Sequence, residues 1–285
     1  IYFLGFVADA VFFLGLFIAR YQQATVSFAR MLALMGDTDP MRLVEHRDLQ
    51  LDGLLPDPEV VPPHLAPLER LDVSGLTFGY PGTGEGIDDV SFSVPAGSFT
   101  VITGRVGSGK TTLLRSILGL VKVDGGTVSW NGEAVAEPDK FFIPPRSAYT
   151  PQVPRLFSMS LMENLLMGRT DPEEVVAEAV DAAVMTPDVS GMPQGLDTLV
   201  GPLGVRLSGG QIQRSATARM FVRRPDLLVF DDVSSALDVE TERVLWERLF
   251  RDRSRVTSLV VSHRRPALQR ADQIVVMEGG RVAAV

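Results

Sequence analysis

Cysteine is absent from this 285-residue chain, and histidine occurs only as His46, His64 and His263. Without thiols there are no disulfides, no thiolate metal sites and no cysteine nucleophile. The histidines are too scattered to give metal-ligand spacing. Charge of one sign is never concentrated, and the formal net charge is −8. A nucleic-acid face needs clustered Lys and Arg to replace counterions, so no nucleic-acid partner is expected. No internal repeat is visible, which sets repeat architectures aside. The length suits one large domain with an appendage.

What the chain does have begins with an apolar run. Residues 1–19, IYFLGFVADAVFFLGLFIA, carry a single charge, Asp9, and are about long enough to cross a bilayer's hydrocarbon core. No basic residue precedes the run and no small-residue cleavage site follows it, so it is not built like a secretory signal. It reads as the last transmembrane helix of a membrane domain lying upstream, in keeping with a chain that starts at Ile1. A buried helix of a soluble protein is the alternative. Arg20 and Arg30 place the following end on the cytoplasmic side. Asp9 belongs either to an interior cavity or to the edge of the segment. Helical periodicity continues over 20–36 and stops at Gly36 and Asp37-Thr38-Asp39-Pro40. Residues 37–68 hold six prolines (40, 56, 58, 62, 63 and 67) and read as an extended linker.

From about residue 69 short β runs dominate. LDVSGLTFGY, IDDVSFSV and SFTVIT fit antiparallel strands, the last feeding a glycine-rich loop. Asn131-Gly132 is a hairpin turn signal. Residues 158–185 and 208–223 are helical by pattern, with a Gly/Pro-rich stretch, 186–206, between them. The close alternates strand and helix: LLVFD, 238–251, RVTSLVVS, a short helix near 266–271, and strands near 273–277 and 281–285. Alternation of this kind implies an α/β fold with a mainly parallel sheet and its ligand at the strands' C-terminal ends.

Gly104-Arg105-Val106-Gly107-Ser108-Gly109-Lys110-Thr111 matches G-x-x-x-x-G-K-[ST] between a strand and a helix, the context a phosphate-binding loop needs. Its glycines let backbone N–H groups approach phosphate oxygens, and the helix start adds partial positive charge. Lys110 is expected to reach the β- and γ-phosphates of a nucleoside triphosphate and Thr111 to ligate Mg²⁺, with Thr112 beside it. LLVFDD (227–232) supplies an apolar strand ending in Asp231, which can hold Mg²⁺ through water.

Between these halves lies Leu207-Ser208-Gly209-Gly210-Gln211, and with it the chain resembles the ATP-binding cassette (ABC) ATPases over roughly residues 69–285. The resemblance implies a P-loop NTPase core of the ABC kind. An antiparallel β subdomain and an α-helical signature subdomain (about 158–223) would complete it. The organisation is then 1–36 as the end of a transmembrane domain, 37–68 as linker and 69–285 as the ATP-binding domain. Tyr80 resembles the aromatic that stacks on adenine, a contact worth about 1–3 kcal/mol by analogy with base stacking. Gln152 in YTPQVPRLF resembles the Q-loop glutamine that senses Mg²⁺ and the γ-phosphate side. Ser234–Asp238 matches the D-loop, and His263 the switch histidine. Ser208, Gly209, Gly210 and Gln211 open a helix that, in the family, caps the ATP held by a partner subunit. Arg214 and Arg219 read as solvated or paired charges rather than ligands.

Two departures stand out. The family usually has Glu after the Mg²⁺-holding Asp, to orient or deprotonate water; here it is Asp232. The carboxylate is kept, so base chemistry is available, yet it is one methylene shorter, and a displacement of about 1 Å costs on the order of a hundredfold in rate. Slow hydrolysis at this chain's own site is therefore expected. In Thr198-Leu199-Val200-Gly201-Pro202-Leu203-Gly204, the charged positions of the family's T-E-V-G-E-R-G stretch are replaced, so coupling to a membrane domain is expected to be apolar or altered. The resemblance implies an exporter-type half-transporter in a bacterial inner membrane, with its ATPase domain cytoplasmic. It would contact lipid and dimerise with a second half-transporter, a heterodimer being favoured. A soluble ABC ATPase outside transport is the alternative. That reading would want coiled-coil insertions or two cassettes with basic patches, and the sequence has neither.

Overall fold

The computed structural model describes residues 2–35, 39–46, 66–202, 204–252 and 256–285. His64, Leu203 and the linker prolines Pro56, Pro58, Pro62 and Pro63 lie outside these. The chain separates into two compact units, residues 1–61 and 62–285.

The first unit is dominated by α1 (Tyr2–Met35), a single helix of 34 residues that runs on through Arg20 and Arg30. Its stretch Phe3–Met35 has a mean hydropathy of 1.9 and is long and apolar enough to cross a membrane. At ~1.5 Å per residue it exceeds a hydrocarbon core of roughly 30 Å. Its apolar side chains are open, with Phe3 79% and Phe12 68% exposed. Within the expected linker, Pro40–Leu43 forms a 3₁₀ turn that the Asp39 carboxylate caps by accepting from Met41 N–H at 2.9 Å.

The second unit holds two sheets. β1 (Arg70–Gly79) and β2 (Gly86–Pro95) form an antiparallel pair. β3 (Phe99–Gly104) then runs into α2 (Lys110–Ile117). β4 (Gly125–Trp130) and β5 (Glu133–Ala134) complete the first sheet, in the order β2-β1-β4-β5. After the short α3 (Pro138–Phe141) and β6 (Ser147–Thr150) comes a helical region: α4 (Leu161–Leu166), α5 (Glu173–Ala182), α6 (Thr186–Ser190) and α7 (Gly209–Val222). β7 (Leu227–Asp231), α8 (Val239–Asp252), β8 (Thr257–Val261), α9 (Arg265–Leu268), β9 (Gln273–Glu278) and β10 (Arg281–Ala284) close the chain. The second sheet has the order β10-β9-β3-β8-β7-β6, parallel except for β10.

β3 differs from the expectation. SFTVIT does not join the antiparallel sheet; it pairs in parallel with both β8 and β9. Its residues Phe99–Ile102 are all buried, the mark of a strand covered on both faces rather than one. The same holds for β7, where Leu227 and Val229 pack toward the antiparallel sheet and α2 while Leu228 and Phe230 pack toward the helices. Phe230 and Phe99 both meet the fully buried Trp246 of α8 edge-on, at 5.5 and 5.2 Å between ring centroids. Each such pair adds about 0.5–1.5 kcal/mol beyond its burial.

The helical stretch 158–185 is also not continuous. α4 starts on a capping box made by Ser160 and Glu163 and ends at Met167, in the left-handed conformation, before Gly168. Pro172 then caps α5. A helix cannot run through that sequence, because left-handed residues close helices and proline starts them. Conversely, α6 lies inside the Gly/Pro-rich stretch.

Candidate functional site

The parallel sheet assembles the site from segments far apart in sequence. β3, β8, β7 and β6 are neighbours in that order, and each releases a loop at its C-terminal end. These loops begin at Arg105, Ser262, Asp232 and Pro151, so residues more than a hundred positions apart meet along one edge. A cavity of about 370 Å³ there is lined by Tyr80, Gly104, Val106, Gly107, Gly109, Lys110, Thr111, Thr112, Gln152, Asp231, Asp232 and His263.

The glycine loop needs its glycines for two different reasons. At Gly104 (φ 145°) a Cβ would lie 2.1 Å from the Met277 carbonyl oxygen, and at Gly109 (φ 92°) 2.9 Å from that of Gly86. Only a residue without a Cβ takes those conformations cheaply and lets the strands come so close. Gly109 precedes α2 without a side-chain cap, leaving the helix's first N–H groups open to an anion. The Lys110 ammonium donates to the Gly104 and Arg105 carbonyls at 2.9 and 2.7 Å, and to Ser108 Oγ at 3.3 Å. Burial pulls it below the usual lysine range, opposed by the charges of Asp232 and Asp231. Arg105 and Ser108 shape the loop through these contacts rather than by lining the cavity.

Asp231 is nearly fully buried. Thr111 Oγ1 donates to its Oδ1 at 2.9 Å and the Tyr149 hydroxyl to its Oδ2 at 3.3 Å. Burial pushes Asp231 above the usual carboxylate range, and those two donors oppose the shift. Tyr149 is itself pushed up to about 12, by burial and then by the Asp231 charge. A desolvated carboxylate beside a hydroxyl is an oxygen donor set suited to a hard dication. Sequence reasoning did not single out Tyr149; its only signal was a place on the strand leading to Gln152.

Asp232 takes the left-handed conformation (φ 51°, ψ 47°), which Asp tolerates better than most residues. Gln152 Nε2 donates to its Oδ2 at 3.4 Å and Ser234 Oγ to its Oδ1 at 3.3 Å. His263 is exposed on the same cavity wall. Tyr80 is half-buried there, its ring 4.9 Å from that of Phe78 and nearly perpendicular to it.

The remaining candidates lie elsewhere. Among the described residues, the cavity wall does not include Ser208, Gly209, Gly210, Gln211 or Asp238. Asp238 instead serves the first turn of α8, its carboxylate accepting from Thr241 N–H at 2.9 Å and the Thr241 hydroxyl at 2.5 Å, which hold it below its usual range. Ser208 and Gln211 form a reciprocal capping box at the start of α7. The two glycines between them differ. A Cβ at Gly210 would meet the Ala236 carbonyl at 3.0 Å, whereas at Gly209 it would meet nothing within 4 Å. Packing among the described residues explains the glycine at 210 and not the one at 209. Arg214 is paired, as its spacing suggested: it binds both oxygens of Asp188, at 2.8 and 2.9 Å, and Gln211 Nε2 reaches the same carboxylate at 3.2 Å. Arg219 donates to the Asn164 carbonyl at 2.7 Å and to its Oδ1 at 3.2 Å.

The loop 198–204 sorts itself by role. Thr198 and Val200 are buried. A Cβ at Gly201 or Gly204 would lie 2.6 and 2.3 Å from the carbonyls of Phe157 and Leu199. The matching residues thus build the loop, while the replaced positions Leu199 and Pro202 face outward.

A glycine-wrapped helix start beside the buried Asp231, at the C-terminal edge of a parallel sheet, defines a P-loop nucleotide site. Residues 87–235 match the ABC transporter family, and the chain belongs to that family, carrying its ATP-binding domain. It is similar to a probable multidrug resistance ABC transporter ATP-binding/permease protein of Bacillus subtilis, with 35% identity over 212 residues, 74% of this chain and 36% of that protein. It is 37% identical over 240 residues to an ATP-dependent lipid A-core flippase of Burkholderia thailandensis, covering 81% of this chain and 40% of the flippase. Among solved structures, a bacterial Atm1-family ABC exporter with ATP bound superposes with a TM-score of 0.73 at 29% identity. That likeness covers 92% of this chain and 44% of the exporter. The chain therefore spans less than half the length of these relatives.

Proposed function

We propose that this chain is the nucleotide-binding end of an exporter-type half-transporter, which binds and hydrolyses ATP as part of a dimer and so drives movement of a substrate across a membrane. The carrying observation is the division of the site: Ser208, Gly209 and Gly210 open α7 off the wall of the chain's own cavity, and a Cβ at Gly209 would meet nothing within 4 Å among the described residues. A second half-transporter bringing its own nucleotide to that helix start gives the glycine a purpose. The long apolar helix Phe3–Met35 and the transporter names of the relatives support a membrane setting, and the bacterial relatives an inner membrane. On this reading residues 1–36 end the membrane domain, 37–68 link it and 69–285 form the cytoplasmic ATPase. Outward Leu199, with exposed Phe157 and Val205, favours apolar coupling to the membrane domain.

In this proposal Tyr80 stacks on adenine, and the loop N–H groups of 104–112 with Lys110 hold the phosphates. Thr111, Asp231 and Gln152 hold Mg²⁺, which when bound neutralises charge on the transferring phosphate. Asp232 orients or deprotonates water, and His263 faces the same end of the nucleotide. Asp232 is a short base, which supports a slow own site and a heterodimer whose other site turns over faster.

The test replaces Gly209 by Leu in the full-length protein. Open space around that position predicts an unchanged thermal midpoint and unchanged ATP binding at the P-loop, with hydrolysis lost because the partner's nucleotide is no longer capped. Hydrolysis at the normal rate would remove the shared-site reading.

A further inference from the structure

Behind the cavity a line of hydroxyls connects the Asp232 carboxylate to the backbone after His263. Ser234 is fully buried, and its Oγ lies 3.3 Å from Asp232 Oδ1 and 3.4 Å from Ser262 Oγ. Ser262 is 1% exposed and its Oγ accepts from Arg264 N–H at 3.2 Å. The proton count gives the line a direction. Ser234 Oγ is the donor to Asp232 Oδ1, and a hydroxyl has one hydrogen to give. With that hydrogen used, Ser262 is the donor between the two hydroxyls, while its own oxygen accepts from the Arg264 N–H. The line thus runs Arg264 N–H, Ser262, Ser234, Asp232, with every hydrogen used once.

Both ends are anchored. The Arg264 guanidinium donates to the Leu237 carbonyl at 2.8 Å and to Glu242 Oε2 at 3.2 Å. Glu242 is completely buried and accepts from Trp246 Nε1 at 3.2 Å. The backbone N–H of Asp232 bonds the Val261 carbonyl at 3.1 Å, tying the same two loops a second time. Gln152 is a weaker hold on the other carboxylate oxygen, at 3.4 Å from an exposed side.

We propose that Ser234 is a positioning residue that fixes the Asp232 carboxylate through this buried hydroxyl line, so that the loop carrying His263 and the segment before Asp238 together set where the short base points. The inference rests on Asp232 being the group that acts on water. A buried, directed donor removes rotational freedom from a carboxylate that lacks a methylene to spare. It acts through the aspartate and does not line the cavity, so it bears on the chemical step more than on nucleotide affinity.

The test is a double-mutant cycle in the full-length dimer, the second site being silenced if the partner is a different chain. Ser234→Ala is expected to lower kcat roughly tenfold to a hundredfold while KM for MgATP stays within about twofold, as for loss of about 1 Å of alignment. With Asp232→Glu as background, the longer side chain carries its carboxylate past Ser234, and the same substitution should change kcat by less than about threefold, a non-additivity that contact pairs display. Equal loss in both backgrounds marks a merely structural role and overturns the proposal, as does a rise in KM that matches the fall in kcat. Where Ser234→Ala does not fold, Ser262→Ala removes the donor behind it and must show the same background dependence. Asp232→Asn separates the two layers. If it leaves hydrolysis unchanged, the base assignment falls and the positioning role with it; if it is inactive while Ser234→Ala hydrolyses normally, only the positioning role falls.

Discussion

Asp188 holds the helix that opens with Ser208, and removing its carboxylate should be felt both in stability and in turnover. Arg214 Nε and Nη2 bind its two oxygens at 2.8 and 2.9 Å, and Gln211 Nε2 adds a third bond at 3.2 Å. The pair is 15% and 14% exposed at its two side chains, between the surface case, worth about 0–1 kcal/mol, and the buried case, where removing one partner costs about 3–5 kcal/mol. Asp188→Ala should therefore cost about 2–3 kcal/mol. For a unit of this size each kcal/mol moves the thermal midpoint by roughly 2–4 °C, giving a fall of about 4–12 °C. Calorimetry on the full chain reads the shift, and phosphate release in the assembled dimer reads turnover. Gln211 would lose the bond that steadies it against α6, so hydrolysis at the site capped by α7 should fall even where the fold persists. Pairing Asp188→Leu with Arg214→Met should recover most of the stability, because an apolar pair carries no desolvation penalty, without recovering turnover. A midpoint within about 1 °C of the parent for Asp188→Ala would refute the reasoning, since a half-screened pair cannot then be worth its geometry.

Asp231→Asn should raise stability of the nucleotide-free protein at neutral pH while abolishing Mg²⁺-dependent hydrolysis. Burial raises the folded carboxyl above its ordinary range, so the native state holds a proton that the unfolded chain releases, and stability falls as pH rises through the folded value. The gain from Asn should thus be seen at neutral pH and vanish below the ordinary Asp range, where both states are neutral; thermal midpoints over a pH series would show it, and a gain independent of pH would contradict it. Asp232→Glu should increase hydrolysis at this chain's own site, by on the order of tenfold to a hundredfold if reach is what limits it, and a steady-state rate equal to the parent's would count against the short-base explanation.

Much of the site was legible because its chemistry is local. Gly104 to Thr111 need particular backbone conformations that glycine supplies, and LLVF before Asp231 declares a buried strand whatever surrounds it. Ser208 and Gln211 are spaced as a capping box within one turn of helix. Other features depend on who the neighbours are. SFTVIT has the alternation-poor pattern of a doubly covered strand, yet its short length also suited the antiparallel reading until β8 and β9 flanked it. Tyr149 and Asp188 carry no motif, and the D-loop match of Ser234 says nothing of its reach to Asp232; each matters because folding brings Asp231, Arg214 or Asp232 against it.

By itself, then, the sequence determined the parts: a membrane-length apolar helix, a phosphate loop, an aspartate-tipped strand and a signature helix, all set by interactions within a few residues. Only the tertiary structure decided their arrangement. The order β3-β8-β7-β6 places four loop starts side by side, and the same packing leaves the start of α7 off the cavity wall they form. Strand order depends on burying both sheet faces at once, a condition that no short stretch of residues can express.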